Sequence, residues 1–262
     1  MIPLLSETGL RRLDDIITSR LLCVFDFDGT LTPIVARPEQ AFLPQNVLER
    51  LNNLSVHVPV AILTGRSVAD IRSRLGFDPD YVIGNHGFEG MPGWEAEDEH
   101  HQQLCQSWKT TLAHALKDGY AEQGVWIEDK RYSLTVHYRS AQTEQAIKDQ
   151  LKTLFAQALP EARVIEGKSI FNLVPEGAPH KGDALQKLIE ISGARSAIYV
   201  GDDITDEDAF RVRRQNIMTV RVEYHNESSA EFYLKQWQDI VVLLDELIRR
   251  LDEMQVNGMR IV

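Results

Sequence analysis

Apolar positions along the chain fall into two rhythms. Short unbroken runs, LLCVF at 21–25, VPVAIL at 58–63, YVI at 81–83 and SAIYV at 196–200, each stop abruptly at small or polar residues. Near-continuous apolar runs of this length predict strands covered on both faces. Between them the spacing changes to three and four: Val47, Leu48, Leu51 and Leu54; Val68, Ile71 and Leu75; Leu185, Leu188 and Ile189. Those are helical stripes. Strand and helix in alternation predict a parallel sheet with helices on its faces, a Rossmann-like α/β core. IMTVRV at 217–222 adds a fifth strand, and DIVVLLDELIRRLDEM at 239–254 a last helix.

The middle of the chain has a different order. A helix around Leu104, Trp108, Leu112 and Leu116 precedes two strand-like runs, GVWIED and YSLTVHYR; a helix holding Ile147, Leu151, Leu154 and Phe155 precedes two more, ARVIE and SIFNLV. This αββαββ order predicts an antiparallel sheet with helices on one face, an α+β module inserted into the α/β core. The clustered Gly and Pro of EGMPGWE and VPEGAP mark its hinges. The expected division is a core of 1–88 and 178–262 and an insert of 89–177. Within YSLTVHYR, Tyr132, Leu134, Val136 and Tyr138 alternate with Ser133, Thr135, His137 and Arg139, giving one apolar face for the helices and one polar face. The tryptophans are expected in the core.

Charge narrows the partners. With 39 acids against 28 bases in 262 residues, the formal net charge of -11 repels a phosphate backbone, so nucleic acid is excluded and any phosphate must be held locally. Cys23 and Cys105 fall one in a strand and one in a helix, which fits packing better than a disulfide or zinc. The first twenty residues carry acids where a secretion signal would be basic, and no apolar run is long enough to span a bilayer. A cytoplasmic monomer without membrane contact is expected.

Chemistry gathers where the strands stop. Ligands of open parallel sheets bind beyond the carboxyl ends of the strands. Asp26 and Asp28, Thr64, Asn85, and the pair Asp202 and Asp203 all follow strand ends. By the period of two, Asp26 and Asp28 are expected to project to one side. Facing Asp202 and Asp203, they would repel unless a divalent cation lies between, and Mg2+, with its hard oxygen ligands, suits. Thr64 opens TGRS at a helix start, where its hydroxyl and free amides, Gly65 included, make an anion site. Lys181 adds a point charge for the same anion. This reads as a phosphate clamp with a metal, with Asp26 as attacking carboxylate and Asp28 as acid and base.

DFDGTL, LTGR, HKGDAL and GDDITDEDAF, in that order, resemble the four motifs of haloacid-dehalogenase (HAD) superfamily phosphatases. GNHGFE, VWIEDKRYSLTVHYR and EGKS resemble, more narrowly, the trehalose-6-phosphate phosphatase family. The resemblance implies a HAD core with an inserted cap, and hydrolysis of trehalose 6-phosphate through a phosphorylated Asp26. It also implies Asp28 as general acid/base, Thr64 and Lys181 as phosphate ligands, and a magnesium site of Asp26, Asp28, Asp202, Asp203 and Asp206. Gly65, Arg66, Asn85 and His86 in the core, and Glu128, Lys130, His137, Arg139, Glu166 and Lys168 in the cap, are the substrate-binding candidates. The expected partner is a small phosphorylated sugar. One departure stands out: Asn172 replaces the family's glutamate and Val174 its basic residue, which puts the identity of the sugar in question.

Other motif readings fail on spacing. DFDGTLTPIVAR is no calcium loop, since its glycine is at position four and Arg37 takes the place of the bidentate glutamate. ARVIEGKS lacks the first glycine of a nucleotide loop, having Ala162, and a strand pattern follows it. Glu207 and Asp208 read as acids favouring a helix start, Arg66 also as a helix cap, and His86 and His137 equally as ordinary hydrogen-bonding residues.

Overall fold

A computed structural model describes residues 1–262 apart from 36, 117–119, 140–143, 168 and 260–262. The chain begins with β1 (Ile2–Pro3), α1 (Glu7–Ile16), β2 (Leu21–Phe25), α2 (Gln45–His57), β3 (Val60–Leu63), α3 (Val68–Leu75) and β4 (Tyr81–Ile83). It continues through α4 (Glu95–Ala115), β5 (Trp126–Asp129), β6 (Leu134–His137), α5 (Glu144–Ala158), β7 (Ala162–Gly167) and β8 (Ile170–Pro175). It closes with α6 (Lys181–Ser192), β9 (Ser196–Gly201), α7 (Glu207–Phe210), β10 (Ile217–Val222), β11 (Phe232–Leu234) and α8 (Ile240–Met259). Two compact units result: Met1–Gly87 with Pro179–Val262, and Phe88–Ala178.

The first unit is built on a seven-stranded parallel sheet in the order β1-β11-β10-β9-β2-β3-β4. From β2 the chain winds outward through β3 and β4; from β9 it winds the other way through β10 and β11. The order therefore reverses between β2 and β9, whose register sets Phe25 opposite Val200. A crevice at such a reversal is where sheets of this kind bind ligands. Every residue of β2, β3 and β9 is buried, as the unbroken apolar runs require. Cys23, Phe25, Ile62, Ile198 and Val200 form one cluster with Leu13 and Ile16 of α1, Val47, Leu51 and Leu54 of α2, and Leu243, Leu244 and Leu247 of α8. Each such side chain contributes about 1.5–3 kcal/mol on burial. Meanwhile α6 lays its own stripe of Ala184, Leu185, Leu188 and Ile189 against β2 and β9.

Helix starts are fixed locally. His180 caps α6: its Nδ1 accepts from the amides of Gly182 and Asp183, both at 3.2 Å, and Asp183 returns a carboxylate oxygen to the His180 amide at 3.0 Å. This reciprocal cap makes Lys181 the first helical residue. Ser67 caps α3 through the Asp70 amide at 3.2 Å, and Gly76, at φ 67°, ends it in the left-handed conformation.

The second unit has a four-stranded antiparallel sheet, β5-β6-β8-β7. Its helices share one face, where Cys105, Trp108 and Leu112 of α4 and Ile147, Leu151 and Phe155 of α5 meet Leu134, Val136, Phe171 and Leu173. Alternation sends Trp126, Glu128, Thr135, His137 and Asn172 to the other face.

Three expectations are corrected here. Five core strands were expected and seven form; β1 and β11 span two and three residues, too few to show a pattern. The strand expected over YSLTVHYR shrinks to Leu134–His137, because Arg131 takes φ 70° and turns the chain just before it. Trp126 is not core: it is 54% exposed. Both cysteines are buried and unpaired. Among the described residues no helix is long and apolar enough to cross a membrane.

Candidate active site

Four chain segments converge beyond the ends of β2, β3 and β9. Asp26 follows β2, is 5% exposed, and donates its amide to the Val200 carbonyl at 2.9 Å. Lys181, buried at the start of α6, reaches Asp26 Oδ1 at 2.8 Å and Asp206 Oδ1 at 2.6 Å. Carboxylate oxygens of Asp26, Asp202 and Asp206 all lie within 4.8 Å of one another. Burial first, and then Asp206 and Asp28 against the opposing pull of Lys181, raises the Asp26 pKa to about 7. Burial followed by Asp26, Asp206 and Asp203 raises that of Asp202 to about 9. For Lys181, burial works against the charge, but Asp206 and Asp26 outweigh it and hold the ammonium protonated. Three acids crowded around one lysine leave negative charge uncompensated, which is what a divalent cation relieves.

The acids divide by how much of each is already engaged. Asp206 Oδ1 accepts from Lys181 and from the Tyr199 hydroxyl at 2.5 Å, and its Oδ2 accepts from the amides of Asp202 and Asp203, both at 2.9 Å. Four donors occupy the acceptor sites of that carboxylate. Asp206 therefore ties the loop after β9 to Lys181. Asp202 Oδ1 accepts from Thr30 Oγ1 at 3.3 Å, and a Cβ at Gly29, where φ is +83°, would collide with the Asp202 carboxylate. The donor set thus fits a hard cation, with Asp26 and Asp202 the carboxylates that keep open oxygens. Asp203 is exposed and caps the short turn Ile204–Asp206.

Asp28 is engaged by a different cation from Asp26. β2 ends at Phe25, so the period of two does not extend to these aspartates. The Asp28 side chain is 42% exposed and takes both arms of Arg66, Nε to Oδ2 at 2.6 Å and Nη2 to Oδ1 at 2.8 Å. Arg66 also donates to Asp70 Oδ2 at 2.6 Å, and Arg74 holds the other Asp70 oxygen at 2.6 Å and 3.0 Å. Asp70, although burial pushes it up, is held below the usual carboxylate range by Arg74 and Arg66. Arg66 is thus an ion-pair hub more than a helix cap. Thr64 is buried after β3, its Oγ1 accepting from the Arg66 amide at 3.2 Å. Asn85, 1% exposed, donates its amide to the Arg66 carbonyl at 2.8 Å, and the His86 amide donates to the Thr64 carbonyl at 2.9 Å. Asn85 and His86 both take positive φ, 48° and 62°, and the His86 ring fills the space where Gly65 lacks a Cβ. Glu207 pairs with Arg221 at 3.2 Å and accepts from the Ser229 amide at 2.8 Å, a structural role.

On the second unit, Glu128 Oε2 and His137 Nε2 are 2.9 Å apart on the face away from the helices. Lys130 lies in the turn after β5, closed by its amide to the Ser133 carbonyl at 3.0 Å, and Arg139 lies just past β6. Glu166 is brought elsewhere. In register with Phe171 and hence on the helix-covered face, it pairs with Lys148 and, at 2.7 Å, with Lys152 of α5. Lys168 lies outside the described residues. Asn172 Oδ1 accepts from Thr135 Oγ1 at 2.7 Å. Sequence reasoning missed Tyr199 and Asp70, whose only signal was their place beside the motifs, and misplaced Trp126.

The parallel sheet with its order reversal, together with an inserted α+β unit, is the fold of the haloacid-dehalogenase class of hydrolases. Residues 24–238 match the family model for trehalose-phosphatase. The chain belongs to the trehalose-phosphatase family, a family of phosphatases. It is 32% identical to a trehalose-phosphate phosphatase of Mycobacterium tuberculosis, over 92% of this chain and 64% of that protein. It is 28% identical to probable trehalose-phosphate phosphatase 3 of Oryza sativa subsp. japonica, over 91% of this chain and 71% of that one. The fold is shared with the C-terminal domain of the trehalose-6-phosphate phosphatase of C. albicans, with a TM-score of 0.69 at 22% identity over 95% of this chain and 98% of that one.

Proposed function

We propose that this chain hydrolyses trehalose 6-phosphate to trehalose and phosphate, with Asp26 as nucleophile and Mg2+ as cofactor. The observation that carries the reading is the cluster of buried Asp26 and Asp206 with half-buried Asp202, crossed by Lys181 where the strand order reverses. Phosphate monoesters are among the slowest esters to hydrolyse unaided, so catalysis demands fixed charge and position. Asp26 Oδ1 is engaged by Lys181, while Oδ2 accepts from no described donor. Oδ2 is therefore the oxygen that attacks phosphorus, forming an aspartyl phosphate as the bond from phosphorus to the sugar oxygen breaks. Asp28 gives a proton to the departing oxygen and then takes one from the water that releases phosphate. Thr64, Gly65 and Lys181 hold the phosphoryl oxygens, with Arg66, Asn85 and His86 shaping that pocket. Asp26 and Asp202, supported by Asp28, Asp203 and Asp206, would hold Mg2+, which when bound would supply charge neutralisation. Sugar recognition falls to Glu128, Lys130, His137 and Arg139 of the second unit.

A second reading has its own support. Asn172 presents an amide where the family's glutamate would present a carboxylate, and its oxygen is already engaged by Thr135. Another glycosyl phosphate is then the preferred substrate, because an acceptor lost from a sugar site changes which hydroxyls it satisfies. Phosphate release across a panel of sugar phosphates, with and without Mg2+, tests both. A preference of about ten-fold or more for trehalose 6-phosphate, about 1.4 kcal/mol, supports the first reading. Equal rates on all substrates, or turnover by Asp26→Asn, would refute it.

A further inference from the structure

Among the described residues of the second unit, the exposed large apolar side chains are Trp126 and Val164. They lie on opposite faces of the sheet: Val164 shares a register with Leu173 on the helix-covered face, Trp126 with His137 on the other. A solitary exposed apolar residue is ordinary and needs no explanation. Trp126 differs in being held. Its ring is stacked on His137 with centroids 3.7 Å apart and planes 1° from parallel, and His137 is held in turn by Glu128 at 2.9 Å. One face of the indole is covered, and the side chain remains 54% exposed. Glu128 lies two residues along the same strand and so on the same face, next to Thr135 and Asn172.

We propose that Trp126 is a specificity residue of the sugar site, its uncovered indole face receiving the C–H-bearing face of a pyranose ring while Glu128 accepts from that ring's hydroxyls. A pyranose combines one apolar face with a rim of hydroxyls, and the unit offers a flat aromatic surface with an acceptor beside it. The negative face of the indole attracts the polarised C–H groups, and stacking removes apolar area from water. Because the ring is already fixed by His137, little side-chain freedom is lost on binding. The inference rests on the sugar-phosphatase reading above and adds a residue that reading does not use.

The test compares two substrates. Trp126→Ala should lower kcat/KM for trehalose 6-phosphate about ten-fold, mainly through KM, while p-nitrophenyl phosphate, which has no sugar, stays within about two-fold. Trp126→Phe, which keeps a stacking ring, should recover most of the loss. Titrating the wild-type protein with trehalose should change its tryptophan emission, and the Trp126→Phe protein should show no such change. Equal losses on both substrates, or no loss on the sugar phosphate, would overturn the proposal. If the wild type hydrolyses no sugar phosphate yet trehalose changes the Trp126 emission, the catalytic reading fails and this one stands. Absence of both signals overturns both.

Discussion

Replacing Lys181 with methionine isolates the electrostatics of the site from its packing. The two side chains are similar in length, so the change removes a charge without opening a large cavity. It leaves Asp26 and Asp206, at 2.8 Å and 2.6 Å from the lost ammonium, buried without their shared cation. Removing one partner of a buried pair costs about 3–5 kcal/mol, which is a fifth or more of the about 5–15 kcal/mol that holds a domain folded. The cost depends on pH. Asp26 already titrates near 7 with Lys181 present, and losing the lysine pushes it higher. A carboxyl whose folded pKa is raised above its unfolded value gives its stabilisation in full below the unfolded pKa and loses it as pH rises through the folded one. The variant should therefore be hurt most near pH 8.5 and least near pH 5.5, where the fold can bind the missing charge as a proton. Urea unfolding of both proteins in chelator, followed by far-UV circular dichroism at those two pH values, measures this. A loss below about 1 kcal/mol at pH 8.5, or one equal at both pH values, would refute the reasoning, since salt bridges that weak are those exposed to solvent.

Other consequences are simpler to check. With Asp202 raised to about 9, the cation-free protein should lose melting temperature between pH 6 and 9, and Mg2+ should restore more at pH 9 than at pH 6 in a thermal-shift assay. Gly29→Ala should destabilise by about 1–3 kcal/mol in urea unfolding and weaken Mg2+ binding by calorimetry, because φ is +83° and the added Cβ meets Asp202. Cys105, pushed up to about 12 by burial and Asp129, and Cys23, pushed further by burial, should resist a thiol reagent until the chain is unfolded.

What could be read from the sequence was whatever repeats along one element. The apolar runs at 21–25, 81–83 and 217–222 are strands over those same residues, because a strand buried on both faces needs no information from outside itself. The αββαββ order was legible for the same reason. The convergence of Asp26, Lys181 and Asp202 followed from a topological rule once the parallel sheet was inferred. Side-chain direction was harder. The pairing of Asp28 with Arg66 was not legible, because the strand period ends at Phe25 and says nothing of the residues after it. Glu166 was assigned by its neighbours in a motif, but β7 keeps its period through that position, and register with Phe171 turns it to the helices, where two lysines await it. Short edge strands such as β1 have no periodic signal at all; they exist because β11 is there to pair with.

The two aspartates of DFDGTL are separated by what surrounds them. Asp26 follows a strand into the interior and meets a buried lysine; Asp28, two residues on, has already left the strand and meets Arg66 near the surface. A nucleophile needs an oxygen free to reach phosphorus, and Asp26 keeps Oδ2. An acid or base needs an oxygen free to exchange a proton, and Asp28 has both oxygens accepting from one guanidinium. The proposed chemistry therefore requires Arg66 to release at least one of them. Arg66 can do so without being stranded, because Asp70 holds its Nη1 and the Pro38 carbonyl accepts from its Nη2 at 2.8 Å. Asp70 in turn is anchored by two bonds from Arg74 one turn further along α3. The charge that frees Asp28 is thus kept on α3, which packs against β4, so the proposed exchange of partners at the motif's second aspartate leaves the Lys181 bond to its first intact.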